Sequence, residues 1–174
     1  MTELCRGGHH MNYCPECGNK LHQAYIDDTH VKSCNTCGFI DWNNSVSVSC
    51  VVAAYTKDHE IDMVKLKGEE ENKITFPGGY RNLGESLEEA ARRKFLEETG
   101  MTIKQLKLFK TYTKDELKLI WVVYKTHISD LNFVENKEVK ELVLIKKITD
   151  IDEKDLRGNL TKELLIDLFH DHQG

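Results

Sequence analysis

The most informative part of this sequence is GYRNLGESLEEAARRKFLEETGM, residues 79–101. Apolar residues recur at helical spacing through its second half. Ser86 is followed three residues later by Glu89, which is the spacing of a capping box at a helix start. Gly100 is typical of the residue that ends a helix. The pattern therefore predicts a helix from Ser86 to Thr99.

Two adjacent carboxylates, Glu97 and Glu98, lie near the end of this predicted helix. They repel one another unless a cation neutralises them, and oxygen ligands of this kind suit Mg²⁺ or Mn²⁺. The preceding Pro-Gly-Gly at 77–79 predicts a sharp turn that brings the carbonyl of Gly78 close to the same site. Spacing alone leaves a second interpretation open, in which the helix lies on the surface and its charges form ordinary i,i+4 pairs.

Four of the six cysteines form two matched Cys-x-x-Cys pairs with sixteen residues between them: Cys14, Cys17, Cys34 and Cys37. Each pair presents two thiolates to one ion, and two pairs complete a tetrahedron. Four protein thiolates leave no ligand position for water, so this spacing predicts a structural Zn²⁺ site in a ribbon over residues 12–42. Two unrelated pairs or a redox disulfide are the alternatives.

The charge balance disfavours nucleic acid as a partner. The whole chain has a net charge of −5, and the ribbon carries four acidic residues against two lysines. Such a surface attracts phosphate weakly, so we expect the ribbon to be a folding staple or a homodimer contact. The longest apolar run, Cys50–Tyr55, is too short for a membrane span. With no secretory signal visible, we expect a cytoplasmic protein without a membrane partner.

The chain divides into three segments by these patterns. We interpret residues 1–11 as a leader or a non-native remnant, 12–42 as the ribbon and 43–174 as a mixed α/β domain. A β-branched run at Ser45–Tyr55 predicts a strand in this last segment. The amphipathic pattern at Leu160–His170 predicts a closing helix.

The segment at 79–101 resembles the box of the Nudix family, G-x5-E-x7-R-E-U-x-E-E-x-G-U, in which U is a bulky apolar residue. The matching residues are Gly79, Glu85, Arg93, Phe95, Glu97, Glu98, Gly100 and Met101. Lys94 departs from the pattern, because the family has glutamate there. A four-cysteine ribbon directly before such a domain is similar to the zinc-ribbon branch of the family, which includes NADH pyrophosphatase and ADP-ribose pyrophosphatase-like proteins.

This resemblance implies an α/β fold, an α/β/α sandwich with a mixed sheet, preceded by the small zinc ribbon. It implies hydrolysis of a nucleoside diphosphate linked to another moiety, with Mg²⁺ or Mn²⁺ as cofactor beside the structural Zn²⁺. The resemblance implies that Glu97 and Glu98 are catalytic metal ligands in this chain. It also implies that the Gly78 carbonyl is a further ligand and that Glu85 is a supporting carboxylate at the metal site. Arg93 would orient these glutamates by ion pairing.

Related enzymes also use a glutamate from a later strand or loop. Here Glu138 fits that place best, with Glu135 and Glu141 as competitors. The NADH pyrophosphatase branch carries a proline-rich motif after its box, whereas this chain has no proline after Pro77. We therefore expect a small nucleotide derivative such as ADP-ribose as substrate rather than NADH.

The sequence leaves two alternatives open for the position of the Lys94 side chain. Its ammonium could neutralise the neighbouring carboxylates, or its flexible stem could swing outward into solvent. In the first case the chain would be a catalytically weak or silent nucleotide binder or sensor on the same scaffold. We predict that the native protein binds Mg²⁺ weakly and that Lys94→Glu tightens metal binding.

Overall fold

The structure is a computed structural model of the 174-residue chain, and it describes residues 11–129 and 131–171. The interpretation of residues 1–11 as a leader therefore falls, except for Met11, outside the described residues. The chain forms two compact units. One holds the described residues up to Ser47 together with Lys114–Leu119, and the other holds the remainder.

The first unit contains a three-stranded antiparallel sheet. Its strands are β1 (His22–Ile26), β2 (Thr29–Ser33) and β3 (Ile40–Asp41), in the order β1-β2-β3. Asp27 and Asp28 form the two-residue turn between β1 and β2, and both have positive φ, as the twist of a tight hairpin requires. Buried Cys14, Leu21 and Cys34 form the centre of this unit.

The second unit is built on a mixed seven-stranded sheet with the central order β10-β5-β4-β9-β8. Strand β6 pairs with β5, and β7 pairs with β4. The strands are β4 (Ser47–Tyr55), β5 (Ile61–Leu66), β6 (Ile74–Thr75), β7 (Gly78–Tyr80), β8 (Lys107–Lys114), β9 (Leu119–His127) and β10 (Val139–Ile145). The two α-helices are α1 (Leu87–Thr99) and α2 (Gly158–Asp171).

Strand β4 separates two hydrophobic cores because its side chains alternate between the faces of the sheet. Val51, Ala53 and Tyr55 pack on the face that carries α2, with Leu164, Leu165 and Leu168. Cys50, Val52 and Ala54 pack on the opposite face, with Ala90, Ala91 and Phe95 of α1. Both faces of the sheet are thus covered by a helix, which confirms the predicted α/β/α sandwich.

Helix α1 begins and ends as the sequence predicts. The Ser86 hydroxyl accepts from the Glu89 amide and the Glu89 carboxylate accepts from the Ser86 amide, which completes the capping box. Gly100 ends the helix with φ 74°, a left-handed conformation that glycine adopts without strain. The ends of this helix are set by local sequence.

The predicted sharp turn at residues 77–79 is wrong. Gly78 and Gly79 instead belong to β7, which pairs antiparallel with β4. A Cβ atom on Gly78 would lie 2.6 Å from the Cys50 carbonyl oxygen and 2.8 Å from the Val51 Cα. The glycine is needed for close approach of two backbones rather than for a turn.

Among the described residues, neither α1 nor α2 has the length and apolar character needed to span a bilayer.

Candidate active site and cysteine cluster

The cysteine cluster lies in the first unit, where the two Cys-x-x-Cys segments face each other. The Cys14 and Cys37 sulfurs are 3.5 Å apart, as are those of Cys17 and Cys34. All four sulfurs lie within 4.8 Å of one another. A tetrahedral Zn²⁺ bound at about 2.3 Å from each sulfur would place them about 3.8 Å apart. The geometry therefore fits one zinc ion.

The backbone of both segments shapes this cluster. The Gly18 amide donates to the Cys14 carbonyl and the Gly38 amide donates to the Cys34 carbonyl, each at 2.9 Å. Hydrogen bonds from the Asn19 backbone and side chain lower the pKa of Cys17 to about 6. A lowered pKa favours the thiolate of Cys17, which is the form that binds metal. The hydrogen bond from the Phe39 backbone lowers the pKa of Cys37, but its contact with the Cys14 thiol and its desolvation outweigh that effect, so the pKa of Cys37 is raised.

Glu98 is the buried carboxylate of the candidate active site, with 8% of its surface exposed. It lies in the last turn of α1, and one of its carboxylate oxygens accepts from the Gly78 amide of β7 at 3.1 Å. Burial raises the pKa of Glu98 to about 7, and the charge of Glu138 adds to the rise. A buried carboxylate of raised pKa in a cleft is characteristic of functional sites.

Glu97 is half exposed and lies between two cations. Lys94 Nζ is 2.9 Å from one of its oxygens, and Arg93 Nη1 is 3.2 Å from the other. The hydrogen bond from Lys94 and that from Arg93 lower the pKa of Glu97. The structure thus brings Glu97 and Glu98 together at the end of α1 in different surroundings, one paired with cations and the other buried.

Glu85 is engaged by Arg93 through both carboxylate oxygens, at 2.5 Å from Nη2 and 3.0 Å from Nε. These hydrogen bonds lower the pKa of Glu85 to about 2. Arg93 also donates to the Tyr80 carbonyl of β7. Its guanidinium therefore connects α1, which carries it, to Glu85 in the preceding loop and to β7. The role of Glu85 as a metal ligand stays a prediction, and its bonds in this structure are those of a support.

The three candidates for the later glutamate lie in different places. Glu138 lines the same cleft as Glu98 and Gly78. Glu135 pairs with Lys67 at 2.5 Å, and Glu141 pairs with Lys65 at the same distance. Of the three, Glu138 is therefore the one whose position favours a part in the site.

The cleft has a volume of about 500 Å³, large enough for a small nucleotide derivative. Its lining is formed by Leu66, Lys67, Gly68, Glu69, Glu70, Thr75, Phe76, Gly78, Glu98, Lys137, Glu138 and Arg157. A larger cavity of about 1100 Å³ also exists, but its lining contains none of the carboxylates discussed above. The carboxylates therefore direct attention to the smaller cleft.

Asn136 connects the two sides of this site, and sequence reasoning missed it. Its amide nitrogen donates to the Glu98 carbonyl at 2.9 Å, which satisfies a carbonyl in the last turn of α1. Its side-chain oxygen accepts from the Glu138 and Val139 amides, each at 2.9 Å. The second pattern is an Asx turn, a signal that an asparagine before a predicted strand offers.

Arg157 is a second residue that the sequence did not single out. It precedes α2, lines the cleft and pairs through Nε with Glu70 at 2.6 Å. Its backbone amide donates to the Ile74 carbonyl of β6, which fixes the chain at this point. No local pattern around position 157 indicates a place beside residues that lie more than 80 positions earlier in the sequence.

A family model described as NUDIX domain matches residues 44–164 of this chain. The chain belongs to the Nudix family. Among curated Nudix relatives, the NAD-capped RNA hydrolase NudC of Haemophilus influenzae (strain PittGG) is 30% identical over 100 residues, 56% of this chain and 36% of that protein. NudC of Vibrio vulnificus (strain CMCP6) is 24% identical over 112 residues, 63% of this chain and 41% of that protein. The chain thus spans well under half the length of these relatives.

Solved Nudix structures share the fold. A Nudix hydrolase from Nitrosomonas europaea superposes with a TM-score of 0.73 at 21% identity, covering 94% of each chain. An ADP-ribose pyrophosphatase from Streptococcus suis 89-1591 has a TM-score of 0.60 at 16% identity, covering 73% of this chain and 92% of the other. The predicted family and fold class are thereby confirmed.

Proposed function

We propose that this Nudix chain is a divalent-metal-dependent hydrolase that cleaves the diphosphate of a nucleoside diphosphate derivative. The observation that carries the proposal is that the buried Glu98, the Gly78 backbone and Glu138 line one cleft. Carboxylate and carbonyl oxygens are the donors that Mg²⁺ and Mn²⁺ prefer. The donor set of this cleft therefore fits such an ion.

Different residues at this site would bind the metal ion and the diphosphate. An ion would be held by Glu98 and the carbonyl of Gly78 in the cleft. Glu97 is paired with Lys94 and Arg93, so an ion would have to displace these cations before Glu97 became a further ligand. When bound, the ion offsets the negative charge of the diphosphate and makes water more acidic. Arg157 has further N–H donors beyond the one that Glu70 accepts, and these would bind a diphosphate oxygen.

The proton of the attacking water needs an acceptor in the cleft. Glu138 has 55% of its side chain exposed, so it can meet water and act as the general base. Water would attack one phosphorus, its proton would pass to Glu138, and the bridging phosphorus–oxygen bond would break. A nucleoside monophosphate and the phosphate of the other moiety are the products. Arg93 would hold Glu97 and Glu85 in place during this step.

We favour an ADP-ribose-like substrate over NADH. The cleft volume suits a small nucleotide derivative, and the proline-rich motif of the NADH pyrophosphatase branch is missing from this sequence. The names of the NudC relatives refer to NAD-capped RNA, so a capped RNA is the competing substrate. The acidic balance of the ribbon argues against RNA.

Hydrolysis assays with defined substrates test this preference. ADP-ribose, NADH, a nucleoside triphosphate and an NAD-capped RNA oligonucleotide would each be incubated with Mg²⁺ or Mn²⁺. We expect the highest kcat/KM for ADP-ribose, with AMP as a product. Faster turnover of NADH or of the capped RNA would overturn the preference for an ADP-ribose-like substrate.

The contact between Lys94 and Glu97 favours one alternative. A carboxylate already paired with two cations is a poorer metal ligand, so the chain could bind nucleotides with slow or no turnover. The same assay separates the alternatives, because a silent binder would show ADP-ribose binding by calorimetry without product. We favour the hydrolase because Glu98 accepts its hydrogen bond from a neutral amide, and because Lys137 lies 3.9 Å from Glu138, farther than the 2.9 Å between Lys94 and Glu97.

For the remainder of the chain we propose a structural Zn²⁺ held by the cysteine cluster, in a ribbon at 12–42 ahead of a Nudix domain at 43–174. The sulfur geometry supports the zinc ion. A contact between two ribbons in a homodimer, a cytoplasmic location and a leader at 1–11 stay predictions. Size-exclusion chromatography with light scattering would test the dimer.

A further inference from the structure

Lys94 is held inside the site rather than extended into solvent. Its ammonium is 2.9 Å from a Glu97 oxygen, and 22% of its side chain is exposed. Its stem packs against β7, because a Cβ atom on Gly79 would lie 2.7 Å from Lys94 Cε and 2.8 Å from Cδ. The interpretation in which this lysine swings outward is therefore wrong.

The two cations at this helix end change the electrostatics of the site. Three carboxylates and two cations occupy the charged positions of the box: Glu85, Glu97 and Glu98 with Arg93 and Lys94, of which Lys94 is the departure from the pattern. A glutamate at position 94 would change the balance to four carboxylates against one cation. Since each Glu97 oxygen already accepts from a cation, a doubly charged ion must compete for it. Within the part of the chain that the structure describes, Glu98 has no such ion pair, and its carboxylate accepts a hydrogen bond from a neutral amide.

We propose that Lys94 is a built-in cation of the metal site, whose ammonium takes the place of one divalent ion against Glu97. The cleft then binds a single divalent ion on the Glu98 side. A lysine ammonium has three N–H donors, so after bonding Glu97 it retains donors for a diphosphate oxygen. This proposal rests on the proposed function, since it assigns metal binding to the same carboxylates.

Mn²⁺ binding to the zinc-loaded protein tests the proposal without requiring turnover. Electron paramagnetic resonance of free Mn²⁺ would count the ions bound by the native chain, Lys94→Gln and Lys94→Glu. Lys107→Glu is the matched control, because it makes the same charge change at an exposed position of β8. We expect one ion in the native chain. We expect a second ion in Lys94→Glu, and at least about tenfold tighter binding than the native chain shows. Lys94→Gln should bind Mn²⁺ more tightly than the native chain but less tightly than Lys94→Glu. Lys107→Glu should bind the same number of Mn²⁺ ions as the native chain, with the same affinity.

The outcomes separate this proposal from the proposed function. Native-like ion count and affinity in both Lys94 variants would overturn the proposal, whatever the hydrolysis assay shows. An equal gain in Lys107→Glu would also overturn it, because the effect would then be one of total charge. A second ion in Lys94→Glu with no hydrolysis in any form would support the proposal and contradict the hydrolase.

Discussion

Asp62 is a fully buried carboxyl in β5, and neither of its oxygens has a hydrogen-bond partner among the described residues. Its strand lies between β4 and β10, with Ala54 and Leu144 as the cross-strand neighbours. Burial raises the pKa of Asp62 from 3.8 to about 7. Charging this carboxyl in the folded protein is unfavourable, so Asp62→Asn should change how stability depends on pH.

The sign and size of the effect follow from the two pKa values. Because the folded pKa is raised, the stability contribution is fully present below the unfolded pKa and is lost as pH rises through about 7. A shift of roughly three pKa units corresponds to a total of about 4 kcal/mol in the free energy of unfolding. About 2 kcal/mol of this loss in the free energy of unfolding occurs between pH 5.5 and 8.5. The intact protein can be studied over this mild pH range.

Urea unfolding followed by circular dichroism measures this effect at several pH values. The native chain should lose about 2 kcal/mol more than Asp62→Asn between pH 5.5 and 8.5. Asp58→Asn, at an exposed position before β5, is the control and should follow the native chain. If Asp62→Asn and the native chain showed the same pH dependence, Asp62 would not be buried as a neutral acid and the reasoning would be refuted.

Two further variants test the cysteine cluster and the link between the two sides of the cleft. Cys34→Ser should reduce the zinc content below one ion per chain by elemental analysis and unfold the ribbon, while the second unit keeps its thermal transition. Full zinc content in that variant would contradict the four-thiolate site. Asn136→Ala should lower the free energy of unfolding by about 1–3 kcal/mol through lost hydrogen bonds and reduce Mn²⁺ affinity at Glu98, whose carbonyl it holds. Unchanged Mn²⁺ affinity would show that Asn136 does not position Glu98.

Local sequence was sufficient where one segment determines its own structure. Helix α1 could be predicted because Ser86, Glu89 and Gly100 satisfy the backbone groups at its ends without help from elsewhere. The cysteine cluster could be predicted because two matched pairs have few other uses. The strand at β4 was visible from its β-branched run, although its alternation between two cores appears only in the folded chain.

Long-range contacts explain what the sequence did not show. Gly78 looks like a turn residue, yet its role comes from the backbone of β4, which lies more than twenty residues earlier. The choice among three later glutamates depends on which of them lines the cleft, and Asn136 joins that one, Glu138, to the end of α1. Lys94 was visible as a departure from the family pattern, but its direction depends on packing against Gly79.

The most direct test of the central claim is metal-dependent hydrolysis of ADP-ribose by the native chain, Glu98→Gln and Glu163→Gln. Glu98→Gln removes one charge from the buried end of α1 and keeps the side-chain size, whereas Glu163→Gln makes the same change at an exposed position of α2. We expect the native chain and Glu163→Gln to release AMP with Mg²⁺ or Mn²⁺ and not with EDTA. We expect a loss of at least about a hundredfold in kcat for Glu98→Gln. Native turnover in Glu98→Gln, or turnover that persists in EDTA, would contradict the proposed metal-dependent hydrolysis.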